Sequence, residues 1–291
     1  MAEHIPVILD CDNTMGIPGC DVDDGLALLY LLGSPEVRLL GVTCSYGNST
    51  QEAVCRNTTA LLSRWGRQDI PVLRGSEGPG RLPSPAADFL CETARAYSGA
   101  LRLLVTGSTT NLRGAMELDG HFLDHLRTVS MMGGITEPLF VGGRPMAELN
   151  LSIDCRASLD VLRRGHGLRI ATAQNCLASF FPREGLEELA ESGSPVGVYL
   201  ADALADWYGH NAVHWNLDGI VNWDVMAAVQ LVRPELFDLN DTVITPTPES
   251  LSQGMLAGGG PAIPVQLPVI LDPDQYRRYV YETYCAAKID L

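Results

Sequence analysis

Short apolar runs alternate with longer segments whose apolar residues recur at helical spacing, and the alternation persists through the first two thirds of the chain. Ile5-Pro6-Val7-Ile8-Leu9 is followed by a helix-like stretch near Asp24–Leu32, and Val37–Cys44 by one over Gln51–Trp65. Ile70–Leu73 runs into Arg74-Gly75 and a Gly/Pro-rich loop reaching about Pro85. Leu101–Thr106 precedes a helix from Thr110, Thr128–Met132 ends in Gly133-Gly134, and Leu168–Thr172 follows a helix near Arg156–Arg163. Continuous apolar runs bounded by turn residues read as buried strands. Their alternation with helices predicts an α/β fold: an open, mostly parallel sheet with helices on both faces.

The last third departs from this rhythm. Helical stretches are predicted near Val196–Tyr208 and Asp224–Val232. Phe237–Thr245 and Val265–Leu271 read as strands separated by the Gly-rich segment Gly254–Gly260, and a helix near Pro273–Lys288 closes the chain. Two late strands across a turn predict an antiparallel edge, a common addition to a parallel sheet. No repeat or low-complexity linker divides residues 1–291, so a single domain is expected.

Charge narrows the classes. The formal net charge is −15, and the single lysine, Lys288, stands against nineteen arginines with no basic cluster along the sequence. A nucleic-acid partner is therefore not expected. No apolar run reaches membrane-spanning length, and the opening Met1-Ala-Glu-His-Ile-Pro resembles no secretory leader, so neither a membrane partner nor export is expected. The eight cysteines are scattered without a Cys-x-x-Cys pair, which suits reduced thiols in a cytoplasmic protein.

The chemistry begins where the first apolar run ends. Asp10-Cys-Asp12 and, after a Gly/Pro-containing segment, Asp21-Val-Asp23-Asp24 crowd carboxylates at the C-terminal edge of the first predicted strand. Ligands bind at that edge in open α/β sheets. Crowded carboxylates repel one another unless a cation holds them together, so a hard-metal or catalytic site is expected. The plainer reading is that Asp23 or Asp24 merely caps the helix beginning near Gly25. Other strand ends also carry polar groups: Tyr46-Gly47-Asn48, Thr106-Gly107-Ser108-Thr109-Thr110-Asn111 and Met132-Gly133-Gly134. Strand ends of one parallel sheet share a rim, so these distant segments can converge.

From Asp10 to about Val232 the chain resembles the calcium-dependent nucleoside hydrolases, which split the N-glycosidic bond of ribonucleosides. The pieces occur in family order: Asp10-x-Asp12…Asp23-Asp24, Gly47-Asn48, Gly107-x-x-Thr110-Asn111, Met131-Met132-Gly133-Gly134, Ala147-Glu148-Leu149-Asn150 with Asp154, and Asn222-Trp223-Asp224-Val225. Two departures stand out. The segment Asn13–Val22 is longer than the three residues usual in the family. Where an asparagine often precedes the Ala-Glu-x-Asn segment, this chain has Val141-Gly142-Gly143-Arg144, and Asn13 is a possible substitute.

The resemblance implies that Ca2+ is held by Asp12, Asp24, Asp224 and the carbonyl of Thr110, with Asp10 behind them orienting its neighbours. It implies that Asp12 takes the proton of the attacking water. Asp23, Asn48, Met132, Glu148 and Asn150 would hold the ribose. Trp223 stands where many members have histidine, which resembles the purine-preferring branch in which aromatic side chains sandwich the base. Trp207, Trp215 and Tyr208 are candidates to complete the stack, and His210 and His214 are alternative proton donors. The resemblance also implies a homodimer or homotetramer, with a role in nucleoside salvage or catabolism.

Other readings remain open at this level. A pyrimidine-preferring hydrolase and an inactive nucleoside-binding homologue share these motifs. A phosphatase of the haloacid-dehalogenase type would use Asp10 as nucleophile within Asp10-Cys-Asp12-Asn-Thr14, but that chemistry also wants a lysine well before Lys288. An EF-hand is disfavoured, because Met15 replaces the required glycine and a strand precedes the motif.

Overall fold

The computed structural model describes residues 4–291. Its centre is an eight-stranded sheet. The strands are β1 (Ile5–Cys11), β2 (Val37–Cys44), β3 (Val72–Arg74), β4 (Arg102–Val105), β5 (Thr128–Met132), β6 (Leu168–Ala171), β7 (Asp241–Ile244) and β8 (Ile263–Gln266). Their spatial order is β7-β8-β6-β5-β4-β1-β2-β3. All neighbouring pairs are parallel except β7 with β8, which form the antiparallel edge.

The late strands are shorter than predicted, for local reasons. The run Phe237–Thr245 is interrupted at Asn240, whose φ of 46° breaks an extended path. The run Val265–Leu271 breaks before Pro268, which has no N–H for a ladder. The outer pieces, Phe237–Asp238 and Val269–Ile270, pair with each other in a separate ribbon.

Side-chain alternation along β1 builds two cores. Val7, Leu9 and Cys11 enter one, with α1 (Asp23–Gly33) and the later helices. Ile8 enters the other, with α2 (Gln51–Arg64) left on the first side and α3 (Pro85–Ala96), α4 (Thr110–Leu118) and α5 (Cys155–Arg164) on the second. Further helices in the first layer include α6 (Pro195–Trp215), α7 (Trp223–Val232) and α8 (Pro273–Cys285), with the short helix Glu184–Glu191 beside α6.

Helix α6 runs beyond its predicted end at Tyr208, to Trp215, and stops at Asn216 in the left-handed conformation (φ 52°). Asparagine tolerates that conformation better than most side chains, which makes it a C-terminal stop. The extra turns matter, because they carry His210, His214 and Trp215. Among the described residues no helix is long and apolar enough to cross a membrane, and all eight cysteines are free.

Candidate active site

The C-terminal ends of β1, β2, β4 and β5 meet the N-termini of α1 and α7. Asp23 and Asp24 lie in the first turn of α1, and Asp224 in the first turn of α7, where the helix dipole favours negative charge. They are not caps: the cap positions are Val22 and Asn222, and neither makes a side-chain capping bond. Oxygens of Asp23, Asp24 and Asp224 all lie within 4.8 Å of one another.

Asp12 stands one residue beyond β1 and is fully buried. The backbone N–H of Asn48 donates to its Oδ2 at 2.6 Å. The Asn48 amide also reaches Asp12 Oδ1 and Asp24 Oδ2, each at 3.4 Å, and so links the two carboxylates. The turn that brings Asn48 there needs glycine. A Cβ on Gly47 would sit 1.9 Å from Asp12 Oδ2.

Asp10 lies deeper. Its Oδ2 accepts hydrogen bonds from the Thr43 hydroxyl at 2.5 Å and the Asn111 amide at 2.9 Å, while Oδ1 has no partner. It is fully buried and, like Asp12 and Asp24, is not among the residues that line the cavity.

Burial dominates the electrostatics. It pushes Asp10 up to about 7 against those two hydrogen bonds, and Asp12 and Asp23 up to about 6. Asp21, Asp24 and Asp224 are likewise raised well above the usual carboxylate range, first by burial and then by neighbouring carboxylates. None of the ion pairs among the described residues involves any of these six groups. So much uncompensated negative charge in a dry site calls for protons or a cation. The groups facing the cavity offer oxygen and amide donors without histidine or cysteine, a set that fits a hard cation.

Two adjoining hollows open beside the cluster. One, of about 100 Å³, is lined by Asp21, Asp23, Asp224, Asn48, Thr106, Met132, Glu148 and Asn150. The other, of about 290 Å³, is lined by Trp207, His210, Trp215, Val141 and Leu217. Asp21, Asn48, Met146 and Trp223 line both. One end of the cleft is therefore polar and the other aromatic, with Trp223 between.

The ribose candidates are held by the backbone. Glu148 Oε1 accepts from the N–H groups of Gly134 at 3.1 Å and Leu151 at 2.8 Å, and Oε2 from that of Ser152 at 3.0 Å. Asn150 Nδ2 donates to the carbonyls of Thr106 at 3.0 Å and Met132 at 3.2 Å. These bonds fix both side chains at the cavity wall.

Some candidates stand elsewhere. The structure does not bring Thr110 to the cavity. It opens α4, and its hydroxyl donates to Asp154 Oδ2 at 2.8 Å. Thr106, four residues earlier at the end of β4, lines the cavity instead and donates its hydroxyl to Asp24 Oδ1 at 2.7 Å. Asn13 is turned away from the cleft, donating to Thr58 Oγ1 and accepting from the N–H of Met15. Tyr208 is fully buried in the core. On one helix Trp207, His210, Asn211 and Trp215 share a face, whereas Tyr208 sits about 100° round from Trp207. His214 is exposed at the helix end.

The sequence reading named Thr106 and Asp21 among the polar groups of the rim but gave neither a role in the site. The long segment Asn13–Val22 folds back on itself: Thr14 Oγ1 donates to the Asp21 carbonyl at 2.9 Å, and Asn57 donates to the carbonyls of Asn13 and Met15. This returns Asp21 to the cleft. Its position in an Asp-x-Asp-Asp string was the available signal. The Val141-Gly142-Gly143-Arg144 departure forms a hairpin between Phe140–Val141 and Arg144–Pro145. It lies so close to α6 that a Cβ on Gly142 (φ 55°) would meet the Trp215 carbonyl at 1.5 Å. Val141 is thereby set into the aromatic hollow.

Comparison with solved structures shows the fold. A plant nucleoside hydrolase superposes with a TM-score of 0.83 at 22% identity, covering 96% of this chain and 98% of its own. A purine-preferring ribonucleoside hydrolase from Gardnerella vaginalis gives 0.77 at 21% identity, covering 97% and 99%. The family follows from sequence: residues 7–278 match inosine-uridine preferring nucleoside hydrolase, and the chain belongs to that family. Among its relatives are a probable uridine nucleosidase 2 from Oryza sativa subsp. japonica, 26% identical over 85% of this chain and 80% of its own. A pyrimidine-specific ribonucleoside hydrolase from an Enterobacter species is 29% identical over 86% and 87%. The protein is an enzyme of the class that acts on ribonucleosides.

Proposed function

We propose that this enzyme hydrolyses the N-glycosidic bond of ribonucleosides, purine nucleosides before pyrimidine ones, with Ca2+ at the carboxylate cluster. The observation that carries the reading is the two-part cleft: a carboxylate-lined hollow for the sugar continues past Trp223 into a hollow bounded by Trp207 and Trp215. Asp12, Asp24 and Asp224 are the side-chain ligands in this reading. The threonine carbonyl is that of Thr110 by resemblance; Thr106 lines the cavity, and its own carbonyl accepts from the Asn150 amide. When bound, calcium supplies charge that offsets the carboxylates, engages vicinal hydroxyls and makes a nearby water more acidic.

The residues divide the remaining work. Asp12, held by Asn48, takes a proton from the water whose oxygen bonds to the anomeric carbon. The carbon–nitrogen bond breaks as that bond forms, and its electron pair leaves with the base. Positive charge builds on the ribose ring, and the surrounding carboxylates favour it. Asp23, Asn48, Glu148 and Asn150 orient the sugar hydroxyls, and Met132 packs against the ring. Trp223, with Trp207 and Trp215, stacks the base while it collects a proton from solvent, and His210 lines the same hollow, stacked on Trp207.

The pyrimidine-specific relatives favour a second reading, in which the same chemistry acts on uridine or cytidine. Ribose release from inosine, adenosine, guanosine, uridine and cytidine, with and without a calcium chelator, separates the two. Chelator-sensitive release led by purine nucleosides supports the proposal. A lead for uridine or cytidine discards the stacking preference, and no release from any of them discards the hydrolytic reading for ordinary nucleosides.

A further inference from the structure

The opposite rim of the sheet carries a different chemistry. Arg102 begins β4, and its register partners are Val7 on β1 and Thr128 on β5. Arg127 immediately precedes β5, and Arg169 lies opposite Ser130 and Gln266. Three strands thus place three arginines side by side at their N-terminal ends. The β1 strand spans seven residues, so this rim lies roughly 20 Å from the carboxylate cluster.

These arginines line two hollows that share Arg102 and Arg127. One, of about 650 Å³, also holds Arg169, Thr128 and Gln266. The other, of about 500 Å³, adds Arg38 and Tyr97. Among the described residues no carboxylate forms an ion pair with any of the four arginines. Asp241 lines the larger hollow but accepts from Gln266 Nε2 at 3.0 Å. Burial and the neighbouring guanidinium groups make the charged forms of Arg102 and Arg169 less favourable than usual.

A structural role covers part of this. Arg102 donates to the Leu231 carbonyl and Arg169 to that of Gln230, so both cap the C-terminal end of α7. Arg169 also donates from Nε to Gln266 Oε1 at 3.0 Å, so Arg102 keeps most of its fork free and Arg169 keeps its second terminal nitrogen, and none of these bonds accounts for Arg127 or Arg38. Like charges gathered in a concave surface of a protein with net charge −15 need another reason. A phosphate answers their geometry, since guanidinium groups bind it bidentately. The distant carboxylates oppose it little, because the Debye length in physiological salt is about 8 Å.

We propose that this arginine groove is a second binding site, for a phosphate-bearing small molecule. The ligand is a free oxyanion or the phosphate group of a nucleotide, and the two share the recognition chemistry. The test is isothermal titration of the full chain, calcium-loaded and carrying Asp12→Asn so that adenosine is not turned over, with inorganic phosphate and with AMP while saturating adenosine occupies the nucleoside site. Both probes are expected to bind, and Arg127→Gln to weaken binding at least about tenfold. Nucleoside turnover without phosphate should be unchanged in that variant, which touches neither α7 nor the cleft. Arg38→Gln is a second variant on the free side of the groove. Tighter binding of AMP than of phosphate assigns a nucleotide, and equal binding assigns the free oxyanion. No heat with either probe up to about 10 mM overturns the site, as does binding that survives both substitutions. A change of sedimenting mass in Arg127→Gln with no phosphate binding overturns it in favour of contact with a second copy.

Discussion

The backbone N–H of Asn48 donates to Asp12 Oδ2 at 2.6 Å, and the Asn48 side chain bridges Asp12 to Asp24. One residue at the end of β2 therefore sets the position of a carboxylate at the end of β1. The approach is possible because Gly47 has no Cβ. Gly47→Ala is expected to displace Asp12 and lower kcat/KM by roughly 100-fold, with far-UV circular dichroism unchanged. Near-normal turnover in this variant would show that the position of Asp12 is not critical.

Asp12→Asn keeps the shape of the side chain and removes its basicity. Turnover is expected to fall by about 10²–10⁴-fold or more, because proton acceptance and part of the metal charge are lost together. The check is ribose release alongside a thermal melt. Retained activity would exclude Asp12 as the base.

Trp223 separates the polar and aromatic halves of the cleft. Base stacking on an aromatic side chain is worth about 1–3 kcal/mol, so Trp223→Ala should cost roughly 5- to 150-fold in kcat/KM for inosine. The loss for uridine should be smaller. Equal losses on both nucleosides would refute the stacking role.

The buried carboxylates make metal-free protein sensitive to pH. Burial raises Asp10 from 3.8 to about 7 and Asp12 and Asp23 to about 6. Between the unfolded and folded values, the folded state binds more protons than the unfolded state. Stability is therefore highest at the acid end of this window and falls as pH rises through about 6 to 7. Chelated protein should show a falling Tm over that range, and added calcium should restore it most at the upper end. A calcium effect independent of pH would argue that these groups are not coupled to metal binding.

Much of the architecture was legible because the relevant signals are local. Continuous apolar runs marked β1, β2, β4, β5 and β6, and the glycine-rich segment near the end separates the two strands of a real antiparallel edge pair. The misjudged strand boundaries also have local causes, at Asn240 and Pro268, whose backbone preferences were outweighed by the apolar pattern around them, whereas α6 outran its predicted end at Tyr208 through a more polar stretch to its stop at Asn216.

By itself the sequence determined which chemistry was available: carboxylates at the end of a buried strand, tryptophan beside Asp224, and the motif order of the family. Tertiary structure alone decided which copies of that chemistry face the cleft. Thr106 and Thr110 are four residues apart in one motif, yet the first ends a strand on the rim and the second starts a helix turned toward Asp154. Asp21 returns to the cleft through a loop whose path depends on bonds to Asn57 in a different element. Arg102, Arg127 and Arg169, far apart along the chain, meet only because parallel strands align their N-terminal ends. Residue type and spacing are properties of the chain, whereas the direction a side chain faces is set by the packing of elements distant in sequence.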